Sequence, residues 1–207
     1  MSPRDFSPDM SGQPIITPIQ RGFEQRVAAR YLTRCDAHLA QWIRKIGPLD
    51  IDFQPPFRTV EVLARSILHP QLSGRAAATI TARVERRMPR GRIGVNGLDA
   101  LSDLELRGCG VSANKVTALR DRVSRARRRR VPGAAELARL DDEAIIERLV
   151  AIRGIGRWTV QRLLMFRLGR PDVLPVDDLG VRKGAAIVLQ LDMMPTPGEL
   201  QNLTQHG

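Results

Sequence analysis

Apolar residues recur at three- and four-residue spacing along most of this chain, and the strict alternation of a half-buried strand is nearly absent. The pattern predicts an all-α protein. A helical stretch runs from Phe23 to Ile46, broken near Cys35-Asp36, with Trp42, Ile43 and Ile46 as its buried edge. Core is the default reading of such a tryptophan; a place lining a ligand pocket is the alternative. Gly47 to Phe57 carries Pro48, Pro55 and Pro56 and reads as a loop. Val60, Leu63 and Ile67 mark a short helix ending at Leu68, and Ile80, Val84 and Met88 mark another that starts at Arg75. Between them, Pro70 breaks the first and Ser73 caps the second. Gly91 to Gly97 reads as a turn-rich connection, after which Leu98, Leu101, Leu104 and Leu106 continue the core to Gly108. Ser112 then caps a helix through Ala126, with Val116, Leu119 and Val123 inward. Met1 to Ile19 shows no periodicity, holds four of the 14 prolines and reads as a flexible tail.

The stretch from Asp141 to Gly184 is the most informative. Asp141, Asp142 and Glu143 supply an N-cap and an acidic first turn to a helix whose inner face is Ile145, Ile146, Leu149 and Val150. That helix stops at Arg153-Gly154-Ile155-Gly156, and a second runs from Arg157 to about Leu168. Gly154 and Gly156 fall where a chain needs positive φ or a close backbone approach. A helix starting directly after Gly156 aims its unpaired N–H groups outward, a seat for a phosphate reinforced by the helix dipole. An ordinary αα-hairpin with glycine caps fits the same spacing equally well. A loop containing Pro175 then brings Asp177 and Asp178 to the mouth of a helix over Leu179 to Leu191.

Charge narrows the choice of partner. Lys and Arg number 33 against 22 Asp and Glu, a net charge of +11, and the sequence pI is about 11.2. Such a balance favours a polyanion through counterion release. Arg125 and Arg127 to Arg130 form a basic run that reads as a solvated helix end, with electrostatic steering of a polyanionic partner as a second role. No apolar run approaches 20 residues, and the N-terminus lacks a signal-peptide pattern. Cys35 and Cys109, far apart, suit a reducing cytosol, and with His38, His69 and His206 they make no zinc site.

The runs IRGIGRWTV (152–160) and MFRLGRPDVLPVDDLGVRKG (165–184) resemble the helix-hairpin-helix and Gly/Pro-rich-loop-Asp signature of base-excision DNA glycosylases. The similarity is greatest to the compact 3-methyladenine DNA glycosylases, and weaker resemblance extends back to Arg34. It implies a two-lobed helical fold with its active site in a cleft and no N-terminal β domain. The helical glycosylase domain would span 20–207, with the hairpin and catalytic loop at 141–184. Relatives usually continue past a segment like Met194 to Pro197 into a final aromatic helix, and this chain is expected to stop just before it.

The resemblance also assigns chemistry. Asp178 aligns with the catalytic acid, whose charge stabilises the sugar cation or orients water, and an N-terminal helix position favours its ionised form. Asp177 is left as an N-cap or loop support. Trp158 occupies the place where bifunctional relatives carry a Schiff-base lysine, so hydrolysis without strand cleavage is implied, with the indole stacked on an electron-poor alkylated purine. Arg162, one turn on, stands where relatives more often have an aromatic or Met. SILHPQLSGRAA (66–77) resembles the wedge turn, and Gln71 would fill the gap left by the flipped base. Gly154, Ile155 and Gly156 would offer N–H groups to the DNA backbone, and Arg157 and Thr159 side-chain contacts. Lys115 is a further candidate for the DNA-facing side. Carbonyls of Val150, Ile152 and Ile155 would hold a monovalent cation; no iron–sulfur cluster or zinc is implied.

The implied activity is removal of 3-methyladenine and 7-methylguanine from double-stranded DNA by a monomer, leaving an abasic site, in a bacterial cytoplasm or a nucleus. The competing readings are a non-catalytic helix-hairpin-helix DNA-binding protein, in which Asp178 is merely a cap, and a glycosylase for a mismatched or oxidised base.

Overall fold

The computed structural model describes residues 24–47, 57–68 and 74–204. The tail expected over 1–19, the break at Pro70, the wedge residue Gln71 and the cap at Ser73 lie outside them. The described residues contain twelve α-helices and no strand. In chain order, α1 (Gln25–Cys35), α2 (Ala37–Ile46) and α3 (Thr59–Leu68) come first. They are followed by α4 (Gly74–Arg86), α5 (Val95–Ala100), α6 (Asp103–Gly108) and α7 (Ala113–Arg127). The last five are α8 (Ala134–Leu137), α9 (Asp142–Val150), α10 (Arg157–Phe166), α11 (Leu179–Val188) and α12 (Pro197–Thr204). None of them is long and apolar enough to cross a membrane.

The described residues divide into two compact units, 57–68 with 74–160, and 24–47 with 161–204. In the first, α7 is the central element, packed against α3, α5 and α6. Its inward residues Val116, Leu119 and Val123 are buried, as are Leu63, Ile67 and Leu68 of α3 and Ile145, Ile146 and Leu149 of α9. The expected stripe of leucines before Gly108 is two short helices, not one. A capping box at Ser102 and Glu105 restarts the chain there, which turns Leu104 outward to 82% exposure. Ser112 holds the N-cap position of α7, but its hydroxyl makes no capping bond. Val95 to Ala100, expected within or just after a turn, is helical.

In the second unit α1 packs on α2, α2 on α11 and α11 on α12. Asp36 separates α1 from α2 and caps the latter through the Leu39 N–H at 2.9 Å. The edge expected from Trp42, Ile43 and Ile46 is not a buried one. Only Ala40 of α2 is fully buried, Ile46 is 65% exposed, and the Trp42 ring carries the Lys45 ammonium 4.6 Å from its centroid. Helix α11 ends at Val188, three residues early, because Gln190 takes a positive φ and the Leu191 N–H folds back to the Ala186 carbonyl. Helix α12 follows Met194 and buries Leu200.

One buried group has no signal in the apolar pattern. Arg122 of α7 is fully inaccessible, and one of its amino groups donates to the Val60 carbonyl of α3. Its Nε and second amino group find no hydrogen-bond partner among the described residues. Burial pushes its pKa down to about 10, so the folded protein carries a penalty that is relieved only as pH rises beyond that value. Replacing an unpaired buried ion with an apolar chain of similar length should therefore be harmless or better. Urea unfolding of Arg122→Met is expected to give unchanged stability or a gain of up to about 2 kcal/mol. Arg122→Ala, which leaves a cavity, should lose about 2–4 kcal/mol.

Candidate active site

The hairpin between α9 and α10 is fastened from the inside. Asp141 caps α9 through the Ala144 N–H at 2.8 Å, as its position predicts. Ile152 and Ile155 are buried, which leaves the glycines as the exposed part of the turn. Val150, expected inward, is 39% exposed because the helix ends there and the chain turns away. Gly154 has φ +82°, and a Cβ at this position would lie 3.0 Å from the Ala118 Cβ of α7. Gly156 differs: its φ is not positive and nothing lies within 4 Å of where a side chain would begin. One glycine thus serves close packing, and the other leaves open space at the start of α10.

A carboxylate of α7 holds this turn in place. The Arg153 N–H donates to Asp121 Oδ2 at 3.0 Å, and Arg125 Nε donates to the same oxygen at 2.8 Å. In the sequence, Asp121 and Arg125 look like an ordinary i,i+4 surface pair, so the tether is invisible there. Lys115 makes a contact within the fold that the sequence does not signal. Its ammonium donates to the Leu68 carbonyl at 3.1 Å, closing the C-terminus of α3, and burial pushes its pKa down.

The donors expected to face DNA are not all available. The Ile155 N–H donates to the Ile152 carbonyl at 3.1 Å, whereas those of Gly154 and Gly156 make no hydrogen bond to the described residues. Arg157 grips Glu143 with both arms of its guanidinium, at 2.7 and 2.9 Å. That fork holds the Glu143 carboxyl below its ordinary range, so the pair persists at neutral pH and dissolves only as pH falls through the carboxylate range. Glu143→Gln should release Arg157 and remove a negative charge beside the hairpin. Duplex affinity is expected to rise about twofold to fivefold at low salt and to converge on wild type at high salt. Titrations at two salt concentrations check this.

Trp158 and Thr159 are half-buried in the first turn of α10. Arg162 lies one turn further on, and its guanidinium stacks 5.9 Å from the centre of the Phe166 ring. The contact draws the charge towards the C-terminal end of the helix. Helix α10 stops at Phe166 because the Arg167 and Leu168 N–H groups both turn to the Leu163 carbonyl, ahead of Gly169 at φ +64°.

Asp178, in the other unit, stands at the N-cap of α11. Its Oδ1 accepts from the Val181 N–H at 3.0 Å, and its own N–H donates to the Pro175 carbonyl at 2.9 Å. The cap was expected of Asp177, which instead lies exposed in the preceding turn. One residue therefore carries the cap and is also the one to which the sequence resemblance gives the acid's position. Gly180 makes this possible, since a Cβ there would come within 3.0 Å of Asp178 Oδ1. Arg182 anchors the next turn by donating to the Pro195 carbonyl at 2.7 Å. Pro175 is buried and Asp178 half-buried, so the loop presents a fixed carboxylate near the surface. No group of three or more His, Cys, Asp or Glu among the described residues could hold a metal ion.

The family model of the HhH-GPD superfamily base excision DNA repair proteins matches residues 64–206. DNA-3-methyladenine glycosylase 1 of Schizosaccharomyces pombe is 38% identical over 137 residues, which cover 66% of this chain and 60% of that protein's length. The alkylbase DNA glycosidase-like protein mag2 of the same yeast is 26% identical over 86% of this chain and 84% of its own. Among solved structures, the S. pombe 3-methyladenine DNA glycosylase Mag1 in complex with abasic DNA aligns with a TM-score of 0.72 and 30% identity. It covers 85% of this chain and 86% of that one. A DNA-3-methyladenine glycosidase from Bacillus halodurans gives 0.74 and 32%, over 83% and 77%. With the hairpin, the loop and the acid all inside the matched span, the chain belongs to the HhH-GPD superfamily of base excision DNA repair proteins.

Proposed function

We propose that this protein is a monofunctional DNA glycosylase that hydrolyses the N-glycosidic bond of alkylated purines in duplex DNA. The observation that carries the reading is Asp178, a carboxylate held by a cap at the mouth of α11; the sequence resemblance gives it the place of the catalytic acid. When the C1′–N bond breaks, its electron pair leaves on the base and the sugar becomes cationic. A fixed carboxylate stabilises that charge or orients the water that adds to C1′ and gives up a proton. Alkylation at N3 or N7 has already made the base cationic and a good leaving group, so 3-methyladenine and 7-methylguanine are the fitting substrates. Trp158 offers an aromatic face to such a base and has no amine with which to attack the sugar. The parking of Arg162 on Phe166 lessens the repulsion its charge would exert on a cationic substrate.

DNA would be gripped through its backbone by the open N–H groups of Gly154 and Gly156, with Thr159 beside them and Arg157 once released from Glu143. Val150 is the last residue of α9, so its carbonyl is one of those a helix end leaves without an intrahelical partner. With the carbonyls of Ile152 and Ile155 it would hold a monovalent cation, for which neutral oxygens are suitable donors. Such an ion would supply positive charge to an adjoining phosphate. The protein would act as a monomer in whichever compartment holds the DNA.

The cap made by Asp178 also supports a second reading, a non-catalytic hairpin protein that only binds DNA. Strand analysis tests the hydrolytic product. After incubation with a lesion-bearing duplex, the strand should be cut only on later treatment with alkali, and borohydride should trap no covalent complex. Cutting without alkali, or a trapped complex, would contradict the monofunctional reading.

A further inference from the structure

One concavity is lined by residues given no role above. It has a volume of about 240 Å³ and is lined by Arg83, Arg86, Arg87, Gly108 and Cys109, at the ends of α4 and α6. Arg83 and Arg86 lie in the last turn of α4 and Arg87 directly follows it, a spacing of i, i+3 and i+4 that lets all three guanidiniums line the pocket. Like charges at this spacing repel, and nothing in the helix itself favours the cluster.

Their partners do not neutralise them. Among the described residues, Arg86 Nε reaches only the Ala82 carbonyl, at 3.4 Å. Arg87 meets Glu105 at 3.5 Å, a long contact, while the other oxygen of Glu105 is committed to the Ser102 N–H and hydroxyl, each at 2.8 Å. Among the described residues no carboxylate pairs with Arg83 or Arg86. The carbonyl end of α4 adds about half a negative charge and that of the much shorter α6 less. Against three guanidiniums, Glu105 and the two helix ends together leave the pocket positive by about one charge. Gly108 has nothing within 4 Å of where a side chain would begin, so the wall it forms is open to solvent.

We infer that this pocket binds a phosphate group. A tetrahedral phosphate offers oxygens to several guanidinium forks at once, whereas a carboxylate has two oxygens in one plane and matches a single fork. The phosphate has two sources, a phosphodiester of the duplex held at the hairpin or free phosphate, and recognition is the same for both. The inference does not depend on base release.

The test uses the whole chain as wild type and as the Arg83→Gln/Arg86→Gln double variant, both positions being exposed on the surface. Inorganic phosphate is titrated at constant ionic strength against chloride while Tm is recorded. Phosphate should raise the wild-type Tm by a few degrees, since a ligand of the native state stabilises it, and the double variant should lose the rise. An equal rise in the variant, or none in the wild type beyond that in chloride, overturns the inference. The salt dependence of duplex binding then assigns the source. A DNA phosphate in the pocket makes the slope of log K against log salt shallower by about one in the variant. Free phosphate as the ligand leaves the slope unchanged while the Tm response is lost. Base release at low salt should be the same in both proteins, so a failure of this inference is distinguishable from a failure of the glycosylase reading.

Discussion

Asp178→Asn is expected to lower base release about 100-fold to 1000-fold while leaving duplex affinity and stability unchanged. The Asp178 side chain has two separable roles, a helix cap and a charge. As an N-cap, Asp178 accepts the Val181 N–H, and asparagine caps helices about as well as aspartate does. The substitution therefore keeps α11 and the loop in place and removes only the negative charge that would face the developing sugar cation. Asp178→Ala removes both, and should add a stability loss of about 1 kcal/mol to the loss of activity. Asp177→Asn, at an exposed turn position, should keep activity within about twofold, since the effect of a solvated charge is screened. Single-turnover release and circular dichroism on the three variants separate charge from cap. Equal losses in Asp177→Asn and Asp178→Asn would mean that general electrostatics, and not one placed carboxylate, drives the reaction.

Gly154→Ala should be the most damaging single change in the hairpin, lowering stability by about 2–3 kcal/mol and duplex affinity at least tenfold. Two costs combine. A φ of +82° costs an ordinary residue about 1–2 kcal/mol. The added methyl would also meet the Ala118 Cβ at 3.0 Å, an atom attached directly to the backbone of α7, which no side-chain rotation can move away. The turn must shift, and with it the Arg153 N–H held by Asp121. Gly156→Ala meets neither obstacle, so its stability should stay within about 0.5 kcal/mol of wild type. Its affinity should still fall, because the methyl would stand where a phosphate approaches the start of α10. Thermal unfolding with binding isotherms reads both quantities. A Gly156→Ala protein that binds like wild type would place the phosphate elsewhere.

Most of the helices are legible in the sequence because their inner residues repeat at helical spacing. Val60, Leu63 and Ile67, and likewise Val116, Leu119 and Val123, are buried as that spacing requires. Errors collect where a stripe ends. Leu104, Val150 and Ile46 continue an apolar pattern into solvent, since periodicity identifies a face but not the point at which its neighbour stops covering it. Glycine showed a similar limit. Gly154 and Gly156 look equivalent in G-x-G, yet only the position of Ala118, from a helix 36 residues earlier, distinguishes packing from open space. The hairpin and the acid carry local motifs, so they could be located directly. Asp121, Lys115 and Gly180 carry none: each acts through a backbone or side-chain atom that only the folded chain brings near. Arg122 gives no sign either, because nothing in a basic, arginine-rich helix marks the one that is buried.

The central claim is that the chain releases alkylated bases from DNA, and one measurement addresses it most directly. Wild-type protein is incubated with methylated duplex DNA, and the bases freed into solution are separated by chromatography. The account predicts free 3-methyladenine and 7-methylguanine in amounts that grow with time and with enzyme. Tight binding to the same duplex with no base released would contradict it and leave a hairpin protein in which Asp178 only caps a helix.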